Sequence, residues 1–103
     1  MTDATDIITA AITERRKIAI TYLGKDGPDL RLVEPYAMGT ATTGNTLVRA
    51  WQVTGASASG KGEGWRLFDV SKVVAVALAG AAEGTREGYN PNDKALITIT
   101  AKR

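Results

Sequence analysis

Apolar residues recur at helical spacing near the start of the chain, at Ile8, Ala11 and Ile12, which predicts an amphipathic N-terminal helix. Asp3 or Thr5 suits its N-cap, and acids occupy its first turn. Arg15-Arg16-Lys17 is placed to close it, where cations favour the negative end of the helix dipole. The period then changes to two. Ile18 to Tyr22 alternates as a strand, and Gly24 to Pro28 reads as a turn. Leu30 to Met38 follows as a second strand, with Pro35 pointing to an edge position or a bulge. Gly39 to Asn45 is a polar connection in which Gly44-Asn45 suits a tight reversal.

Leu47 to Val53 alternates again, placing Leu47, Arg49, Trp51 and Val53 on one face and Val48, Ala50 and Gln52 on the other. Thr54 to Gly64 holds little but Gly, Ser and Ala around Lys61 and Glu63, a loop unable to form a core. Trp65 to Val70 and Val73 to Leu78 are the next strands. An irregular Gly/Asn/Pro-bearing stretch over 79–93 leads to Leu96 to Ala101, where Ile97 and Ile99 are expected inward and Thr98 and Thr100 outward. One helix and five to six short strands predict a mainly β fold, a small barrel with the helix over one end.

At 103 residues, 44% hydrophobic and 23% charged, the chain reads as one globular domain over 1–103. It contains no His and no Cys. Zinc sites built from the usual ligands are thereby excluded, as are Ser-His and Cys-His nucleophiles. Gly60 to Gly64 lacks the ending of a phosphate-binding loop. No enzyme, metal or cofactor is expected. No apolar run reaches the length of a membrane span and no secretory leader is visible, so the default expectation is a cytoplasmic protein. A net charge of +2 argues against a polycationic nucleic-acid coat.

The hairpin from Leu47 to Val70 concentrates the candidate chemistry. Trp51 with Arg49 precedes the loop, and Trp65 with Arg66 follows it. Arginine forks two hydrogen bonds to a phosphate and stacks on a base, and aromatic rings stack bases in single-strand binders. The same tryptophans equally serve as packing, since Trp51 shares its face with Leu47 and Val53. An arginine on an otherwise apolar face reaches solvent, pairs with an acid such as Glu34, Glu63 or Asp69, or serves a ligand.

Four segments in order resemble the WYL domain family. They are the helix with Ile20-Thr21-Tyr22, then Arg31-Leu32-Val33-Glu34-Pro35-Tyr36, then Leu47 with Val48-Arg49-Ala50-Trp51, and finally Arg66-Leu67-Phe68 running into Lys72-Val73. The resemblance covers about residues 7–80 and leaves 81–103 as an extension. Asn45 and Thr46 stand where the family's naming Trp and Tyr would be. The resemblance implies an SH3-like or Sm-like barrel of the kind found in bacterial transcription factors and phage-defence proteins. It further implies binding of single-stranded nucleic acid or nucleotides through Arg31, Arg49 and Arg66, with Ser57, Ser59, Lys61 and Trp51 adding contacts. Larger members carry a DNA-binding helix-turn-helix ahead of the domain; a chain of this length is expected to act with a protein partner or as a homodimer. The alternative is a protein-interaction module without nucleic-acid binding.

Overall fold

In a computed structural model, residues 3–24, 27–55, 63–82 and 84–103 are described. Asp3 is the helix cap: its Oδ1 accepts a hydrogen bond from the Asp6 amide at 3.0 Å. Helix α1 spans Ala4–Glu14 and buries Ile8, Ala11 and Ile12, as the spacing predicts. Its end differs from expectation. Arg15 takes a left-handed conformation (φ 54°) and donates its amide to the carbonyls of Ala11 and Ile12. Arg16 and Lys17 already belong to the first strand, so no cation lies in the last helical turn. The sharp turn at Arg15 replaces the expected electrostatic closure, at a conformational cost of about 1 kcal/mol for a non-glycine residue.

Six strands follow: β1 (Arg16–Gly24), β2 (Gly27–Thr40), β3 (Thr46–Gly55), β4 (Gly64–Asp69), β5 (Val73–Ala81) and β6 (Thr98–Lys102). All pairings are antiparallel. The sheet runs in the order β4-β3-β2-β1-β5, with β6 pairing β2 beyond the end of β1. The first reversal is tighter than Gly24 to Pro28, because Gly24 pairs with Gly27, which adopts φ 101°; residues 25–26 lie outside the described residues.

The fold is mainly β with one N-terminal helix, but hydrogen bonds do not close the sheet into a barrel. Among the described residues, the two edges, β4 and β5, do not pair with each other. They are joined at a short 3-10 corner, Val70–Lys72, whose cap Asp69 accepts from the Ser71 amide at 2.9 Å.

β2 is the central strand, so Pro35 is not at an edge. It sits at the register shift between Pro35 and Ala37 against β3, the bulge alternative, where a missing N–H is tolerated. Val33 to Gly39 is buried without a break. Two-residue alternation disappears there because both sheet faces are covered. On one face, Ile8, Ala11 and Ile12 pack with Ile18, Ile20, Val33, Met38, Val48, Ala50 and Phe68. On the other, the irregular segment between β5 and β6 reaches Glu34 and Tyr36. In that segment Leu96 is buried and Ile97 is 61% exposed. This reverses the inward expectation for Ile97, which sits just before β6 with its amide donating to the Thr40 carbonyl.

Candidate functional site

The candidate residues divide between the two faces. The helix packs over β1, β2, β5 and β6, leaving the β3–β4 end of the same face outside the principal helix contacts. Register places Gln52, Ala50 and Val48 of β3 beside Gly64, Arg66 and Phe68 of β4. Arg31 reaches this end from β2. Its Nε donates to Asp29 Oδ1 at 2.7 Å and its NH1 to Gln52 Oε1 at 3.3 Å. Its guanidinium lies 5.2 Å from the Tyr22 ring centre and 5.7 Å from that of Phe68. The two rings meet edge to face at 4.9 Å, and the Tyr22 hydroxyl accepts from the Asp69 amide at 2.9 Å. Arg31 is thus a buried cation held in a fixed plane by an acid, an amide and two aromatic rings. Arg66 is half-buried, and its NH1 donates to the Trp65 carbonyl at 2.9 Å.

Arg49 and Trp51 face the other way. Arg49 Nε donates to Asp93 Oδ2 at 2.6 Å, and NH2 reaches Oδ1 at 3.4 Å. Trp51 opposes Trp65 across β3 and β4, the rings perpendicular at 5.4 Å. Tyr36 meets Trp65 edge to face at 4.8 Å and lies 4.8 Å from Tyr89. The tryptophans therefore lie outside the helix-side core. They form a second aromatic cluster under the C-terminal segment. Trp65 Nε1 donates to the Glu87 carbonyl at 2.9 Å, and Arg86 lies 5.4 Å from the centre of the Trp51 ring. Burial raises the Tyr89 phenol pKa, while the positive charge of Arg103 opposes the rise.

The three arginines predicted from sequence thus do not converge: Arg31 and Arg66 share one face, and Arg49 lies on the other. Ser57, Ser59 and Lys61 lie outside the described residues. Asp29, the partner of Arg31, was not among the acids expected to pair, although its place two positions away on the same strand face was the available signal. Asp93 and Arg86 gave no such signal, because they act across 44 and 52 positions from an irregular segment. In place of the family's naming aromatics, Asn45 donates to Asp69 Oδ2 at 3.2 Å and ties the start of β3 to the end of β4. Among the described residues no cluster of acids gathers to hold a metal ion, and no helix is long and apolar enough to cross a membrane.

The Asp93 carboxyl is held below the ordinary value of 3.8, chiefly by its hydrogen bond from Arg49, against the opposing effect of burial. As pH falls, the unfolded chain takes up this proton before the native one does. The stabilisation is therefore complete above the unfolded value and is lost as pH falls through the native value. Asp93→Asn is expected to flatten the acid limb of stability, measured by urea unfolding from pH 6 down to about pH 2. An acid limb identical to that of the parent would show that the pair contributes nothing.

A family model described as the WYL domain matches residues 3–78. Among solved structures, the proteasome accessory factor B/C (PafBC) of Arthrobacter aurescens superposes with a TM-score of 0.67 at 20% sequence identity. That match covers 85% of this chain but 13% of the other, so the likeness is one of fold over a small part of a longer protein. No curated protein sequence matches the chain significantly. The family match takes in the helix, β1 to β4 and most of β5, including the Tyr22–Arg31–Phe68 assembly, and stops before the C-terminal segment that packs against Trp65. With the model covering well over half of its length, the chain belongs to the WYL domain family.

Proposed function

We propose that this WYL domain is a nucleic-acid- or nucleotide-binding accessory module, acting in the cytoplasm with a partner. The observation that carries this reading is Arg31. A guanidinium fixed between Tyr22 and Phe68 and paired with Asp29, on the same face as Arg66, gives the β3–β4 end a rigid polar floor. The loop joining those strands carries Ser57, Ser59 and Lys61, residue types that donate to phosphate. On this reading Arg31 fixes the shape of the face, Arg66 binds the phosphate backbone, and Lys61 of the connecting segment adds a cation by sequence. Arg49 belongs to a different site.

The test is binding of a labelled, mixed-sequence single-stranded oligonucleotide over a range of salt concentrations. Affinity is expected to fall steeply with salt, and Arg66→Glu to weaken it about tenfold or more. The salt slope becomes shallower by roughly 0.7 for each phosphate the variant no longer neutralises. Binding that is absent, or unchanged in Arg66→Glu, would sink the reading.

A second reading, protein interaction, is favoured by β5. This edge strand carries no charged side chain from Val73 to Ala81, and Val74 and Leu78 are 66% and 41% exposed. An uncharged apolar edge is the kind of surface that adds a further strand. Self-association by sedimentation, abolished by Val74→Lys in a chain that ignores oligonucleotide, would establish it.

A further inference from the structure

The face away from the helix contains a cavity of about 290 Å³ lined by Arg49, Trp65, Gly88, Asn90 and Asp93. Its size is at the lower end for small-molecule sites, which suits one ring system rather than a polymer. Gly88 shapes it. With φ 91°, this residue brings the C-terminal segment so close that a Cβ there would lie 3.0 Å from the Trp65 indole nitrogen.

The hydrogen-bonding groups around the cavity are unbalanced. Three of the four acceptor positions of Asp93 are filled: Oδ2 accepts from Arg49 Nε, while Oδ1 accepts from Arg49 NH2 and from the Ala95 amide. Asn90 Oδ1 accepts from the Asn92 amide at 2.9 Å, which turns its Nδ2 into the remaining polar group. Arg49 is engaged through Nε and NH2, leaving NH1 without a partner among the described residues. Because both residues line the cavity beside Trp65, Arg49 NH1 and Asn90 Nδ2 are the donors left to serve a ligand there. A phosphate or carboxylate is disfavoured, because the Arg49 charge is already compensated and the Asp93 carboxylate would repel it.

We propose that this cavity binds a neutral, planar heteroaromatic ring with carbonyl and ring-nitrogen acceptors along one edge, the chemistry of a guanine-type base. The ring packs on Trp65 and its acceptor edge receives Arg49 NH1 and Asn90 Nδ2, an arrangement akin to arginine's preference for the O6/N7 edge. The site is independent of the Arg31–Arg66 face and needs no phosphate.

The experiment is a nuclear magnetic resonance titration of the full chain with guanosine, with adenosine in parallel. Adenosine presents an amino donor where Arg49 needs an acceptor. Saturable shifts are expected at the Trp65 indole and the Gly88 and Asn90 amides, with adenosine about tenfold weaker. Asn90→Ala, an exposed position, is expected to weaken guanosine about tenfold without affecting the fold, and Arg49→Lys to do the same while keeping a cation beside Asp93. Three results would overturn the proposal: no saturation by roughly 1 mM, equal binding of adenosine, or shifts confined to Phe68 and Arg66. If guanosine fails while single-stranded oligonucleotide still binds, this site is rejected and the Arg31–Arg66 reading stands.

Discussion

Arg86→Ala is expected to lose about 3 kcal/mol of folding stability, read from the urea midpoint at neutral pH. Glu34 is fully buried on the central strand, and Arg86 holds it with two hydrogen bonds, Nε to Oε1 at 2.9 Å and NH2 to Oε2 at 3.2 Å. Removing one member of a buried ion pair costs about 3–5 kcal/mol, because the other charge stays desolvated without its counterion. The lower end applies here, since the Arg86 side chain is 22% exposed and water already screens part of the attraction.

The double variant Arg86→Ala, Glu34→Gln separates this from simple loss of packing. With the carboxylate gone, the cost of removing its Arg86 counterion goes with it, so the double variant is expected to be more stable than Arg86→Ala alone. If Arg86→Ala costs under about 1 kcal/mol, the pair is not what fastens the C-terminal segment to β2. The two tethers beside it, the Tyr36 hydroxyl donating to the Gly84 carbonyl at 3.2 Å and accepting from the Arg86 amide at 2.7 Å, would then carry that role.

The second large effect is expected at Gly39. This residue pairs with Leu47 on one side and Ile99 on the other. A Cβ built there collides with the Thr98 backbone carbonyl oxygen and lies 3.1 Å from Ile99 Cα. A carbonyl within a ladder cannot rotate away as a side chain can, so Gly39→Ala must push β6 off β2. Overpacking of this kind costs about 1–3 kcal/mol, and the loss of β6 pairing places Gly39→Ala near the upper figure. Hydrogen exchange of the Ile99 and Ala101 amides is the direct measurement, with faster exchange confined to β6 while α1 and β1 stay protected. Unchanged protection at β6 would show that the strands accommodate the methyl group.

Gly39 and Glu34 also show why some features could be read from the sequence and others could not. The helix and the succession of strands along the chain followed from local periodicity, because Ile8, Ala11 and Ile12 or Ile18 and Ile20 mark their own buried faces. Gly39 gave no such signal; its requirement comes from a strand roughly sixty positions away in the chain, and nothing local distinguishes it from a turn glycine. Alternation likewise placed Trp51 and Arg49 on one face correctly, yet could not say which face the helix would cover. The helix-side core took in Val48 and Ala50, and Trp51 was left to the C-terminal segment.

The basic triplet shows the same division. Three cations at a helix end suggested charge–dipole closure, but the structure turns the chain at Arg15 and puts Arg16 to use elsewhere, its Nε and NH2 donating to the Ala79 carbonyl of β5 at 3.1 and 2.9 Å. Arg31 was recognisable as an arginine of interest from its place in the Arg-x-Val-x-Pro segment. Its clamp between Tyr22 and Phe68 required three strands to be assembled first.

By itself, then, the sequence determined one helix, the succession of strands along the chain, the family and the residue types of the candidate interface, since each depends on local patterns of residues. Tertiary structure alone decided that β4 and β5 do not pair among the described residues, that Arg49 lies apart from Arg31 and Arg66, and that Asp93, Arg86 and Tyr89 build a second face. Those outcomes depend on ion pairs and ring contacts between distant segments, whose energies exist only once folding has brought the partners together and removed the water between them.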